Sequence, residues 1–307
     1  MGVEHDRSRP GDSGQDRSRD GGSGRVQGGG WDPDRWRAFG ADALAFVRRR
    51  LTGDYTVDEY GFDRHLTDDL LLPALRPLFH DWFRTEVRGI DQLPESGALV
   101  VANHSGTFPL DGVMAQVAVA ESDPYQRHLR LLGADLVFRL PVVSMLARSS
   151  GTTLACGADV RRLLTSGELV AVFPEGFKGL GKQYSERYRL QRFGRGGFVT
   201  AALRSGVPIV PCAIVGAEEA YPMLANAEPL ARLLGLPYLP ITPTFPWLGP
   251  FGLVPLPSKW MIEFGTPIAT QDYPPDAADD PTLVMDLTDH VRGTVQRMLH
   301  HLLLERG

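Results

Sequence analysis

From residue 97 onward the chain alternates short apolar runs with helical patterns, and nothing else in it restricts the fold as much. Strand-like runs occupy 98–102, 129–133, 169–173, 208–215 and 260–264, with helical spacing near 110–120, 141–149, 158–166 and 195–205 between them. Strands that alternate with helices predict an α/β fold: a mixed, mostly parallel sheet flanked by helices. A run such as Ala98-Leu99-Val100-Val101-Ala102 is apolar at every position, as a strand covered on both faces has to be. Thr282 to Glu305 carries Val284, Leu287, Val291, Val295 and Leu302 at helical spacing and reads as one closing amphipathic helix.

The region before residue 90 has a different character. Residues 1–30 hold nine Gly, four Ser, five acidic and five basic residues, with Val3 and Val26 the sole aliphatics. Such a tail buries too little apolar area to offset its ordering entropy, so disorder is expected there. It lacks the apolar central run of a signal peptide. Amphipathic helices are expected next, one from about Trp36 to Arg50 and one from about Leu70 to Arg84 that contains Pro73 and Pro77. These N-terminal amphipathic helices either pack on the domain or lie on an anionic membrane surface. The chain therefore divides into a disordered tail (1–30), an amphipathic helical region (31–89), an α/β domain (90–270) and a C-terminal helix (271–307).

The bulk numbers exclude several classes. At 307 residues and 43% hydrophobic content a sizeable core forms, and a net charge of −5 gives no whole-molecule case for nucleic acid. Cys156 and Cys212 have neither disulfide nor metal-ligand spacing, so no metal site is expected. The longest uncharged run, Leu233 to Ser258, spans 26 residues but contains seven prolines, which rules out a membrane-spanning helix. It is either an apolar loop packed on the core or a surface that meets lipid through Phe245, Trp247 and Phe251.

Two stretches carry the chemistry, and each leaves the carboxyl end of a strand-like run. In open α/β sheets ligands bind in the crevice at those ends. The first stretch is Asn103-His104-Ser105-Gly106-Thr107-Phe108-Pro109-Leu110-Asp111. Pro109 suits a helix start, which places Asp111 in a first turn where the helix dipole accommodates a negative charge. A carboxylate bonded to one imidazole nitrogen fixes the tautomer and leaves the other nitrogen as a base. That is the base-and-orienter part of a catalytic triad, sufficient when the attacking hydroxyl belongs to the substrate. The second stretch is Phe173-Pro174-Glu175-Gly176-Phe177-Lys178-Gly179. Behind it the chain turns basic, with Lys178, Lys182, Arg187, Arg189, Arg192, Arg195 and Arg204 against Glu186 alone in 176–204. No Gly-x-Ser-x-Gly elbow of a serine hydrolase occurs.

These stretches, with Val207-Pro208-Ile209-Val210-Pro211 after them, resemble the motifs of the lysophospholipid and glycerolipid acyltransferase family (1-acylglycerol-3-phosphate acyltransferase-like). The resemblance covers about residues 90–270. It implies an O-acyltransferase that moves a fatty acyl group from acyl-CoA or acyl-carrier-protein to a lysophospholipid or glycerol-phosphate lipid, with no cofactor. His104 is then the base, Asp111 its partner, and Glu175, Gly176, Lys178 and Arg195 position the acceptor, with an amide near Gly176 or Gly106 as oxyanion donor. An acyl thioester and a lipid would be its partners, with no nucleic acid, at the cytoplasmic face of a membrane to which it binds peripherally. The sequence departs from the family in three places. His104 and Asp111 are further apart than usual, Phe177-Lys178 replaces a small residue and Arg, and Gly151-Thr152-Thr153-Leu154 lacks the family's Arg, for which Arg148, Arg161 or Arg162 would have to substitute. The alternatives are an acyltransferase on a neutral or glycolipid acceptor, or a non-catalytic lipid-binding protein.

Overall fold

The computed structural model describes residues 55–306 apart from 106, 140 and 275, with scattered positions between 40 and 53. The expected tail 1–30, and most of the expected helix from Trp36 to Arg50, lie outside the described residues. The strands are β1 (Glu86–Arg88), β2 (Ala98–Ala102), β3 (Leu129–Gly133), β4 (Thr153–Leu154), β5 (Leu169–Val172), β6 (Ile209–Val215), β7 (Ala225–Asn226), β8 (Pro240–Ile241) and β9 (Met261–Phe264). Seven of them form one sheet in the order β1-β9-β6-β2-β5-β3-β4, while β7 and β8 pair separately. Within the large sheet only β6 and β9 run antiparallel, so it is mixed and mostly parallel as the alternation predicts.

The helices are α1 (64–82), α2 (Leu110–Ser122), α3 (Asp135–Arg139), α4 (Pro141–Ser149), α5 (Gly157–Thr165), α6 (Phe177–Leu180), α7 (Gly197–Ser205), α8 (Ala217–Ala220), α9 (Glu228–Leu233) and α10 (Pro281–Arg306). Side chains alternate across each strand. Ala98, Val100 and Ala102 face Met114 and Val117 of α2 and Phe79 of α1. Leu99 and Val101 face α5, α7 and α10 through Leu163, Val199, Val291 and Val295. The result is a three-layer sandwich with a core on each side of the sheet.

Helix α1 begins earlier than expected, because the Asp63 side chain accepts the Leu66 N–H at 3.0 Å and caps the turn. It also tolerates Pro73 and Pro77, which lack the N–H that a regular turn needs. The turns widen instead: the Leu72 N–H reaches Thr67 O and the Phe83 N–H reaches Leu78 O, each five residues back. The sheet also begins before residue 90, since β1 pairs in parallel with β9. Buried Arg130 of β3 straps the segment ahead of α1 to the sheet. It pairs with Asp58 at 2.7 Å and lies over the rings of Phe62 and Tyr60. Among the described residues no helix is long and apolar enough to cross a membrane.

Candidate active site

Strands β2 and β5 are adjacent, with Val101 opposite Val172, so the two chemistry-bearing stretches leave the sheet side by side. Asn103 prolongs β2 by one step. Its side chain accepts the Ile214 N–H at 2.7 Å and donates to Ile214 O at 3.0 Å, mimicking a backbone pair with β6. His104 then turns out of the sheet. A three-residue turn at Pro109, closed by the Leu110 N–H on Phe108 O at 2.8 Å, takes up the long separation before α2 begins at Leu110.

That turn brings Asp111 back to His104. The Nδ1–H of His104 donates to Asp111 Oδ2 at 2.7 Å. The same oxygen accepts the Ser105 N–H at 2.7 Å, and Oδ1 accepts the Gly112 N–H at 2.8 Å. Asp111 is fully buried, whereas the His104 side chain keeps 12% exposure. A carboxylate only accepts, so the ring proton sits on Nδ1 and Nε2 carries the free lone pair. Phe173 lies against the imidazole, ring centroids 4.7 Å apart, and holds its plane.

Glu175 occupies a different place from the one expected of an acceptor-binding residue. Its side chain has no exposure, and its oxygens accept the His104 N–H at 2.9 Å and the Gln191 N–H at 2.6 Å. Glu175 thus braces the histidine loop from behind. Burial pushes its carboxyl up, opposed by nearby Lys182 and by the two amides. The Lys182 Nζ lies 4.0 Å from Glu175, 2.9 Å from Glu218, and donates to Arg189 O at 3.1 Å. One lysine of the basic run 176–204 is therefore the buried link between two buried carboxylates. Gly179 sets how closely the two stretches meet: a Cβ there would stand 2.8 Å from Glu175 Cβ and 2.9 Å from His104 Cβ. Gly176, at φ +56 and ψ −143, holds a conformation open mainly to glycine.

The other expected site residues are more loosely placed. Lys178 and Arg195 are both exposed, and neither lines the cavity described below. Arg148 lies over the Phe138 ring and Arg162 pairs with Glu59. Neither of them, nor Arg161, lines the cavity, so none takes the place of the family's arginine there. The Gly176 amide is spent on Phe173 O at 3.0 Å, and Gly106 lies outside the described residues.

What sequence reasoning missed is the cavity itself. It encloses about 640 Å³ and runs from His104, Asp111 and Phe173 between α2, β3 and α1 to Ala120 and Leu75. Its walls are overwhelmingly apolar, and its volume falls within the roughly 300–1,000 Å³ of small-molecule sites. Along α2 the distance from Asp111 to Ala120 is about 14 Å at a rise of 1.5 Å per residue. Val143 and Leu146 of α4 line the cavity and are also exposed, so they mark a rim open to solvent. A base beside a long apolar slot suits the carbonyl end of a fatty chain.

Comparison with known proteins supplies the family and the fold. Residues 84–215 match the family model described as Acyltransferase. The chain is 60% identical over 267 residues to an uncharacterised protein of Mycobacterium tuberculosis, an overlap that covers 87% of this chain and 75% of that one. This chain belongs to the acyltransferase family. A more distant relative of this acyltransferase is a Gallus gallus protein named DGAT1/2-independent enzyme synthesizing storage lipids. It is 27% identical over 189 residues, covering 61% of this chain and 53% of the other. In backbone the acyltransferase is similar to the crystal structure of the 1-acyl-sn-glycerophosphate (LPA) acyltransferase PlsC from Thermotoga maritima. That match has a TM-score of 0.51 at 16% identity and covers 87% of this chain and 94% of the other, a likeness of fold.

Proposed function

We propose that this acyltransferase moves a fatty acyl group from a thioester, acyl-CoA or acyl-carrier-protein, to the hydroxyl of a lipid. The observation that carries the reading is the His104–Asp111 pair at 2.7 Å, set at the head of an apolar cavity. His104 Nε2 takes the proton of the acceptor hydroxyl as that oxygen attacks the thioester carbonyl. The tetrahedral intermediate collapses, the carbon–sulfur bond breaks, and the thiol leaves with the proton returned by His104. Asp111 holds the ring and balances the imidazolium, and Glu175 fixes the backbone that carries it. No acyl-enzyme is needed, because the nucleophile is the substrate.

The acceptor is a lysophospholipid or glycerol-phosphate lipid on the first reading, with Lys178 beside cavity-lining Phe177 as its anion contact. A neutral acceptor is favoured by a specific observation: among the described residues no lysine or arginine lines the cavity. The storage-lipid enzyme among the relatives supports the neutral reading too. The two separate cleanly. Lys178→Ala should raise KM several-fold for a phosphate-bearing acceptor and leave a neutral one unchanged, measured as kcat/KM on matched lyso-lipids. Equal effects on both would remove Lys178 from the site and favour the neutral acceptor.

The reading also places the protein on a membrane surface. Leu233 (81% exposed), Trp247 (73%) and Phe251 (78%) belong to the uncharged stretch 233–258, part of a lobe built on β7, β8 and α9. The lobe touches the catalytic loop, since the Tyr238 hydroxyl donates to Thr107 O. Burial, with the Asp111 carboxylate nearby, pushes the Tyr238 phenol up. An exposed apolar patch of this size marks an interaction surface. Replacing Trp247 and Phe251 together by Ser should abolish co-sedimentation with phospholipid vesicles, and wild-type binding should survive high salt. Binding that salt releases would shift the anchor to the basic residues.

A further inference from the structure

A second cavity, of about 710 Å³, lies between the 187–190 segment and the last turns of α10 and shares no lining residue with the apolar one. Arg187, Arg189, Arg292, His300 and Arg306 line it against a single carboxylate, Glu219. This is a concentrated positive site in a chain of net charge −5. Its guanidinia are not all spent on structure. Arg306 pairs with Glu219, and Arg292 donates to Leu190 O at 2.7 Å and Gln191 O at 3.1 Å. Arg187 stacks on Tyr184, 4.5 Å from its ring centroid. The Arg189 side chain is exposed and, among the described residues, has no ion-pair or hydrogen-bond partner. The peptide at 190–191 links this cavity to the buried carboxylate that braces the His104 loop. Arg292 holds its carbonyls from one side, and Glu175 takes its Gln191 N–H from the other.

We propose that this cavity is a phosphate-binding site that takes the nucleotide phosphates of a coenzyme A thioester. The volume exceeds what a lone phosphate needs and suits a nucleotide-sized group. Planar guanidinium forks are the side chains best matched to phosphate oxygens. Among the described residues the apolar cavity offers no lysine or arginine to the charged end of such a donor, whereas this one offers four arginines beside the peptide segment that Glu175 holds. The assignment deepens the acyl-transfer reading and rests on it for the identity of the donor. The chemistry recognised, phosphate, is also that of a phospholipid headgroup, and the test separates the two sources.

The test is isothermal titration of the full chain with CoA, 3′-dephospho-CoA and inorganic phosphate, alongside sedimentation with vesicles that contain phosphatidic acid. Wild type is compared with Arg189→Glu and with Arg161→Glu, the same charge change on α5, outside the cavity. CoA affinity should fall about tenfold or more in Arg189→Glu, which corresponds to losing about 1.4 kcal/mol, and change less than twofold in Arg161→Glu. Dephospho-CoA should bind wild type more weakly than CoA does. If Arg189→Glu loses vesicle binding but keeps CoA affinity, the phosphate site stands and its donor assignment is overturned. If CoA, phosphate and vesicles all bind Arg189→Glu as they bind wild type, the site itself is overturned. Binding is read without turnover, so a failure of acyl transfer would count against His104 and leave this result standing.

Discussion

Replacing His104 by Ala should lower acyl transfer by about 10²–10⁴-fold while the protein stays folded, since that is the range a positioned general base supplies. Two histidines that line the apolar cavity have a carboxylate on the ring, His128 on partly exposed Asp68 and His104 on fully buried Asp111, and of the two it is His104 whose loop is also held by Glu175. Asp111→Asn should be nearly as slow for a different reason. All three contacts of the Asp111 carboxylate are donors, from His104, Ser105 and Gly112. Whichever way an asparagine amide is turned, its NH₂ meets an N–H: toward Gly112 it leaves that donor unmet, and toward His104 it also forces the ring into the wrong tautomer. An unmet buried donor adds a stability loss of about 1–3 kcal/mol to the catalytic one. Steady-state rates and thermal unfolding of both variants check this, and a His104→Ala enzyme above a tenth of wild-type turnover would remove histidine from the mechanism.

Lys182→Met should be the most destabilising conservative change in the fold. The Lys182 side chain is 1% exposed, and the carboxylates beside it belong to Glu175 and Glu218, 0% and 6% exposed. Removing one partner of a buried ionic group costs roughly 3–5 kcal/mol, because the partners remain charged without compensation. The loss should depend on pH with a definite sign. Burial already pushes both carboxyls up, against the pull of Lys182, and without the lysine they rise further. A carboxyl whose folded value lies above its unfolded one favours folding below the unfolded value, near 4.5, and loses that contribution as pH rises through the folded value. The deficit of Lys182→Met should therefore be largest near pH 8 and shrink toward pH 5, where the folded state takes up protons. Urea unfolding at the two pH values measures it, and an equal deficit at both would mean that the lysine acts through its packing rather than its charge.

The layout of the sheet and the pairing of His104 with Asp111 were legible in the sequence because both write themselves locally. Fully covered strands are apolar throughout, and His104 and Glu175 each follow one of them directly. The short edge strands were not legible: Glu86-Val87-Arg88 has one apolar residue, and only its pairing with β9 makes it a strand. Nor was the inward role of Glu175, which depends on Val172 lying opposite Val101 and so bringing the carboxylate behind the His104 amide. The buried place of Lys182 was not legible either, because its partner Glu218 comes from a distant helix and no periodicity marks one buried lysine among exposed arginines. The basic cavity joins a loop at 187–190 to positions on α10 more than a hundred residues later, a juxtaposition that no local pattern carries.

The central claim, transfer to a lipid hydroxyl by a His104 base without an acyl-enzyme, is tested most directly by following both products of one reaction. Purified protein is mixed with a labelled fatty acyl-CoA and a panel of phosphate-bearing and neutral lyso-lipids, and thiol release and lipid ester are quantified together. One new lipid ester should form for each thiol released, in wild type and not in His104→Ala, with no labelled protein. Thiol release that yields free fatty acid, or label retained covalently on the protein, would contradict it.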